Sequence, residues 1–187
     1  MRIIGGTHRG RRLAAPKGLV ARPTADRTRE ALFNILTARD DVEFEGARII
    51  DLFAGSGALG FEAMSRGGAW CLFVETDAGA RGAIRDNAEA LSLFGSTRIH
   101  RRSATDLGPK PAGVGPQFTL AFLDPPYGKG LCDQGLAALH DGGWLAPGAV
   151  IVVEQGKDEA PAAAPGFAED DRRQYGAAQI GIYRYTG

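Results

Sequence analysis

The chain has 187 residues, 44% of them hydrophobic, with 22 Lys/Arg balancing 22 Asp/Glu, which suits one domain with a substantial core. No apolar stretch reaches the length of a membrane span and no signal-peptide pattern opens the chain, and two cysteines without disulfide or metal spacing suit a reducing, cytoplasmic setting. Cys71 and Cys132 lie in apolar-patterned segments without CxxC or Cys/His spacing, and read as buried free thiols rather than as a metal site.

Charge is unevenly spread although the total is zero. Residues 1–29 hold eight Lys/Arg against the single acid Asp26. Such an arm suits a polyanion, with Arg9, Arg11 and Arg12 on phosphate. Residues 1–15 predict a hairpin or ribbon around Gly5-Gly6 and Gly10. Thr24 predicts an N-cap, and Ala31, Leu32, Ile35 and Leu36 recur at helical spacing through residue 38. Residues 1–40 therefore read as a basic N-terminal extension, and 41–187 as the main domain.

From Arg48 the pattern changes to short apolar runs separated by helical stretches. Ile49–Phe53 predicts a first strand, with a glycine-rich turn opening a helix that ends near Gly67-Gly68. Cys71–Glu75 predicts a second strand, followed by a helix that Gly95 stops. Arg98–Arg102 is a weaker third strand and Phe118–Leu123 a fourth, with a helix before Gly142-Gly143. Ala149–Glu154 is a fifth, Lys157–Gly166 a surface loop, and Gln179–Tyr185 a final antiparallel strand. Strands alternating with helices imply a doubly wound, mostly parallel α/β sheet.

Two motifs carry chemistry. Gly55-Ser56-Gly57-Ala58-Leu59-Gly60 satisfies GxGxxG between a strand and a helix, and Glu75 follows where an acid grips ribose hydroxyls. Asp51, inside the preceding apolar strand, would repel a pyrophosphate but attract the ammonium and sulfonium of S-adenosylmethionine. The second motif is Asp124-Pro125-Pro126-Tyr127 at the end of the fourth strand. Prolines cannot donate, so this turn presents two acceptors, the Asp124 carboxylate and the Pro125 carbonyl, beside an aromatic face. That combination suits a nucleobase carrying an exocyclic amino group, and no dehydrogenase chemistry calls for it.

Asp51-Leu52-Phe53-Ala54-Gly55-Ser56-Gly57 together with Asp124-Pro125-Pro126-Tyr127 resembles the class I, S-adenosylmethionine-dependent amino-methyltransferases, which have a Rossmann-like fold. The N-terminal Met1-Arg2-Ile3-Ile4-Gly5-Gly6, Arg9-Gly10-Arg11 and Arg22-Pro23-Thr24-Ala25-Asp26-Arg27-Thr28-Arg29-Glu30 are similar to the bacterial 16S rRNA guanine-N2 methyltransferases of the RsmD family. The resemblance implies a seven-stranded sheet with an antiparallel last strand and S-adenosylmethionine as cofactor; a monomer is expected, and His8, His100 and His140 show no metal-ligand spacing. It implies methylation of a 16S rRNA guanine on the assembling small ribosomal subunit.

Carried over by position, Asp51, Phe53, Ala54, Gly55, Ser56, Gly57, Glu75 and Thr76 would surround the cofactor. Ser103-Ala104 would hold its adenine where many relatives have Asp-Ala, with Asp106 as the alternative. Arg22, Thr24, Arg27 and Arg29 would grip RNA or close over the cofactor. Asp124 and the Pro125 carbonyl would accept the amino hydrogens, with Asp124 as proton acceptor. Tyr127 would stack on a base drawn out of its stack. An adenine-N6 enzyme acting on DNA or another RNA is the nearest alternative.

Overall fold

A computed structural model describes residues 1–17 and 23–187, and of residues 23–25 only the backbone. The elements in chain order are α1 (Pro23–Thr37), β1 (Arg48–Leu52), α2 (Ala58–Ser65), β2 (Trp70–Val74), α3 (Ala78–Ala90), β3 (Thr97–His100), β4 (Phe118–Leu123), α4 (Leu131–Asp141), β5 (Leu145–Gly156), β6 (Phe167–Tyr175) and β7 (Ala178–Tyr185). The seven strands form one sheet in the order β3-β2-β1-β4-β5-β7-β6. Strands β1 to β5 pair in parallel, and β7 runs antiparallel between β5 and β6.

The strands are short apolar runs because both faces of the sheet are covered. Ile49, Phe73, Leu120, Phe122, Val150 and Val152 pack on one face with Leu32, Phe33 and Leu36 of α1 and Phe61 of α2. Ile50, Leu72, Ala121, Leu123, Ile151 and Val153 pack on the other with Leu136 and Leu139 of α4 and with Trp144. Strand order reverses between β1 and β4, the switch point at which open α/β sheets bind ligands beyond the carboxyl ends of their strands.

Three elements differ from the sequence expectation. The N-terminal ribbon carries one isolated antiparallel bridge, Arg2 to Arg12, in place of two strands, its arms joined by Ile3 N to Arg11 O, Gly10 N to Ile3 O and Leu13 N to Met1 O. Helix α1 begins at Pro23, so Thr24 lies inside its first turn rather than capping it. Strand β6, absent from the expected elements, reads Phe-Ala-Glu-Asp-Asp-Arg-Arg-Gln-Tyr and is mostly exposed. Its charge suits an edge strand and hides the period-2 signal.

The ribbon is stitched to the domain by buried polar side chains. Glu62 is fully buried, and its carboxylate accepts from Ile4 N and Gly5 N, both at 2.8 Å. The Ser65 hydroxyl accepts from His8 N at 2.9 Å and donates to Gly5 O at 2.6 Å. Gly6, at φ 76°, sits where an added Cβ would lie 1.8 Å from the Ser65 carbonyl oxygen, so only glycine fits. Ile3 and Leu13 join the core beside α1.

Candidate active site

The loop after β1 is shaped by repeated left-handed backbone. Phe53 has φ 58°, Gly55 56° and Gly57 79°. Phenylalanine is rarely found in that region, and such backbone strain concentrates where a chain must present its amides to a ligand. Gly57 is hemmed in: an added Cβ would meet the rings of Phe61 at 2.7 Å and Phe73 at 2.9 Å. At Gly55 the same position is open, with nothing within 4 Å. The open side of the loop is thus a cradle that a side chain would fill.

Glu75, just beyond β2, points into this cradle. Its Oε2 accepts from Gly55 N at 2.8 Å and its Oε1 from Asp77 N at 2.8 Å. An acid held beside a glycine cradle fits the diol of a ribosyl cofactor, and the residues present fit S-adenosylmethionine. Thr76, next along, is exposed. Asp77 accepts from Ala80 N at 2.7 Å as the N-cap of α3.

Asp51 lies behind the loop. It is 1% exposed, and Oδ2 accepts from Gly60 N at 2.9 Å in the first turn of α2. Burial raises its pKa well above the ordinary carboxylate range, the Gly60 amide opposes this, and Asp124 and Glu75 add to the rise. In this structure Asp51 therefore acts on the loop from beneath. Ala54 is also buried, and Ser56 nearly so.

The second motif sits across the switch point. Leu52 pairs with Leu123, so the cofactor loop and Asp124 leave adjacent strands at the same level. Pro125 is buried, whereas Asp124, Pro126 and Tyr127 are exposed at the crevice. Protein crowds the Asp124 carboxyl and the Glu154 carboxylate stands alongside, and both raise its pKa. Its contact with solvent tempers that rise.

Tyr127 donates its hydroxyl to Glu154 Oε1 at 2.6 Å. Burial, then this hydrogen bond and the nearby charges of Glu154, Asp124 and Glu159, lift the phenol above its ordinary range. Glu154, at the end of β5, is absent from the sequence-derived site. It occupies a regular strand position with no motif around it, so only strand pairing reveals it.

The expected adenine pair divides. Ala104 is buried in the core, while Ser103 is exposed with its hydroxyl 2.8 Å from that of Thr105. Asp106, the alternative, is exposed.

Among the expected RNA contacts, Arg9, Arg11, Arg12 and Arg27 are exposed. Arg11 also donates to Ala90 O at 2.6 Å, at the carbonyl end of α3. Arg29 departs from expectation. It is 6% exposed and its Nη2 donates to Arg2 O at 2.6 Å and Asp26 Oδ1 at 3.1 Å, so it braces α1 against the ribbon rather than facing a ligand. Arg22 lies outside the described residues, as does the side chain of Thr24.

Cys71 and Cys132 are free and buried. Among the described residues no cluster of His, Cys, Asp or Glu is arranged to hold a metal, and no helix is long and apolar enough to cross a membrane.

With this geometry in hand, comparison with known proteins is specific. The family described as conserved hypothetical protein 95 matches residues 1–184. The ribosomal RNA small subunit methyltransferase D of Escherichia coli (strain K12) is 38% identical over 154 residues, covering 82% of this chain and 74% of its own. The protein of the same name from Haemophilus influenzae is 36% identical over 160 residues, covering 85% and 80%. The solved structure of yhhF from Escherichia coli superposes with a TM-score of 0.82 at 34% identity, covering 100% of this chain and 98% of that one.

Proposed function

The chain belongs to the RsmD family of ribosomal RNA small subunit methyltransferases, and from that premise we propose that it methylates the exocyclic N2 of one guanine in 16S rRNA during small-subunit assembly. It is a methyltransferase that uses S-adenosylmethionine and acts on ribosomal RNA. The observation that carries the finer reading is the pairing of Leu52 with Leu123, which brings the Gly55 cradle and the Asp124-Pro125-Pro126-Tyr127 turn to one crevice.

The cofactor would lie over Gly55 with Glu75 at its ribose and Asp51 behind the loop, and it supplies an electrophilic methyl on a sulfonium. The rest falls to the chain. The amine lone pair of guanine is delocalised into the ring, so the turn must both aim and localise it. Asp124 and the Pro125 carbonyl accept the two amino hydrogens. Tyr127 stacks on the base, a contact worth about 1–3 kcal/mol in single-stranded nucleic-acid sites. Holding both reactants in near-attack geometry can supply roughly 7–11 kcal/mol of the barrier. No covalent enzyme intermediate is required.

Residues 1–40 serve as the RNA-facing extension and 41–187 as the transfer domain, with the substrate guanine unpaired so that it reaches the crevice. The test is transfer of a radiolabelled methyl group to small subunits lacking the mark, with the product nucleotide mapped by mass spectrometry. N2-methylguanine in 16S rRNA is the expected product. Label on DNA adenine, or on another RNA, would overturn the substrate assignment.

A further inference from the structure

We infer that Glu154 is a positioning residue of the transfer site, clamping Tyr127 by its hydroxyl and forming with Asp124 a carboxylate pair that takes up the amine's proton. This rests on the reading above that Asp124 is the proton acceptor.

Strand register sets the pair. Leu123 of β4 lies opposite Val153 of β5 in a parallel ladder. Leu123 and Val153 both pack into one face of the sheet, while Phe122 and Val152 pack into the other. Alternation therefore sends Asp124 and Glu154, the next residues along, to the same side of adjacent strands.

The surroundings are acidic. Tyr127 faces the pair from the loop after β4, Cys132 from α4 and Asp51 from the end of β1, while Glu159 and Asp133 add negative charge around Tyr127 and Cys132. The Cys132 thiol donates to the Glu154 carbonyl at 3.6 Å. Strand β7 sets Ile180 opposite Glu154. Among the described residues, neither Asp124 nor Glu154 has an ion-pair partner.

Two carboxyls on neighbouring strand positions, with no cation beside them among the described residues, cannot both ionise freely, and Asp124 keeps its proton to a higher pH than it would alone. In the transfer step the N2 lone pair forms the new N–C bond as the C–S bond breaks, and that electron pair leaves on sulfur. Nitrogen then carries a surplus proton, which passes to Asp124 and on to solvent. Glu154 beside it makes Asp124 the stronger base. The cost is that Asp124 stays protonated, and unable to accept, until a higher pH than a lone aspartate would need.

The clamp is the second role. The Tyr127 ring rests against β5 at Gly156, where an added Cβ would lie 3.4 Å from Tyr127 Cδ2. With its hydroxyl tied at 2.6 Å to Glu154, the ring is fixed at one end and still 44% exposed, leaving a face for a base. The rotamer is set before RNA arrives, which lowers the ordering cost of binding.

Three variants separate the roles. Glu154→Gln keeps an acceptor for the Tyr127 hydroxyl and removes the charge. The acid limb of its kcat/KM profile should move to lower pH, with KM for RNA within about threefold of wild type. Tyr127→Phe removes the clamp and keeps the carboxylates. It should raise KM for RNA about five- to tenfold, the worth of one hydrogen bond. Glu154→Ala should show both effects; if it fails to fold, the other two decide.

A titration without RNA or cofactor reads the same linkage directly. The Asp124 carboxyl carbon, followed by NMR in 13C-aspartate-labelled protein, should titrate at lower pH in Glu154→Gln than in wild type. Unmoved titration and acid limb in Glu154→Gln, together with unchanged KM in Tyr127→Phe, would reduce Glu154 to a structural residue. Full activity in Asp124→Ala would instead sink the underlying assignment of Asp124, a separate outcome.

Discussion

Asn87 of α3 donates through Nδ2 to the carbonyl of Ser56 at 3.0 Å, and by this contact the cofactor loop leans on the N-terminal ribbon. The same amide accepts from Ala14 N at 2.7 Å and donates to Ala14 O at 3.0 Å, and the residue is 2% exposed. One side chain thus serves three backbone groups, two on the ribbon and one in the loop. Asn87→Ala strands all three, at about 1–3 kcal/mol for each that stays dry. Lower stability in urea unfolding and weaker S-adenosylhomocysteine binding by calorimetry are expected together. Reduced stability with unchanged affinity would show that the contact does not shape the loop.

The parts of the site readable from the sequence are those whose chemistry is local. A glycine turn after an apolar strand, and Asp-Pro-Pro-Tyr after another, announce themselves because the residue types and their neighbours carry the signal. Asn87, Glu62 and Glu154 do not, since their partners lie 31 to 73, 57 to 58 and 27 residues away. A buried acid on a helix looks, in sequence, like any solvated one. Arg29 misled for the same reason: an arginine near a basic arm reads as a ligand for polyanions until packing turns it inward. Strand β6 stayed hidden because an exposed edge needs no apolar face.

Glu62 anchors the ribbon through a fully buried carboxylate. Its carboxylate holds Ile4 N, Gly5 N and, at 3.0 Å, the Arg66 guanidinium. Removing one member of a buried charged set costs about 3–5 kcal/mol. Glu62→Ala should lose stability of that order in denaturant unfolding. It should also expose Arg9, Arg11 and Arg12 to trypsin faster than in wild type. An unaltered cleavage rate at those sites would mean the ribbon is held chiefly by Ile3 and Leu13.

The exposed arginines of the ribbon separate by contact. Arg9 and Arg12 show no side-chain hydrogen bond among the described residues, whereas Arg11 satisfies a helix-end carbonyl of α3. Arg9→Ala combined with Arg12→Ala should weaken RNA binding and reduce the slope of log K against log salt by about 1.5, as two lost phosphate contacts require. Cofactor affinity and stability should hold. Arg11→Ala should weaken RNA binding and also lower the melting temperature. An unchanged salt slope in the double variant would place the RNA elsewhere on the protein.

Asp51 makes the pH dependence of stability informative. Its folded-state pKa is raised, above all by burial, so the folded protein binds a proton there more readily than the unfolded chain does. Where the two states differ, stability falls as pH rises, from the ordinary carboxylate range up to the folded-state value, and is flat above it. Asp51→Asn keeps an oxygen for Gly60 N and cannot ionise. It should match wild type at about pH 4, where a carboxyl is largely protonated in the folded state. Towards pH 8 it should become the more stable of the two. Urea unfolding of both proteins across that range is the measurement. Parallel stability curves would show that Asp51 does not change its proton on unfolding, and that its burial is compensated by contacts beyond the Gly60 amide.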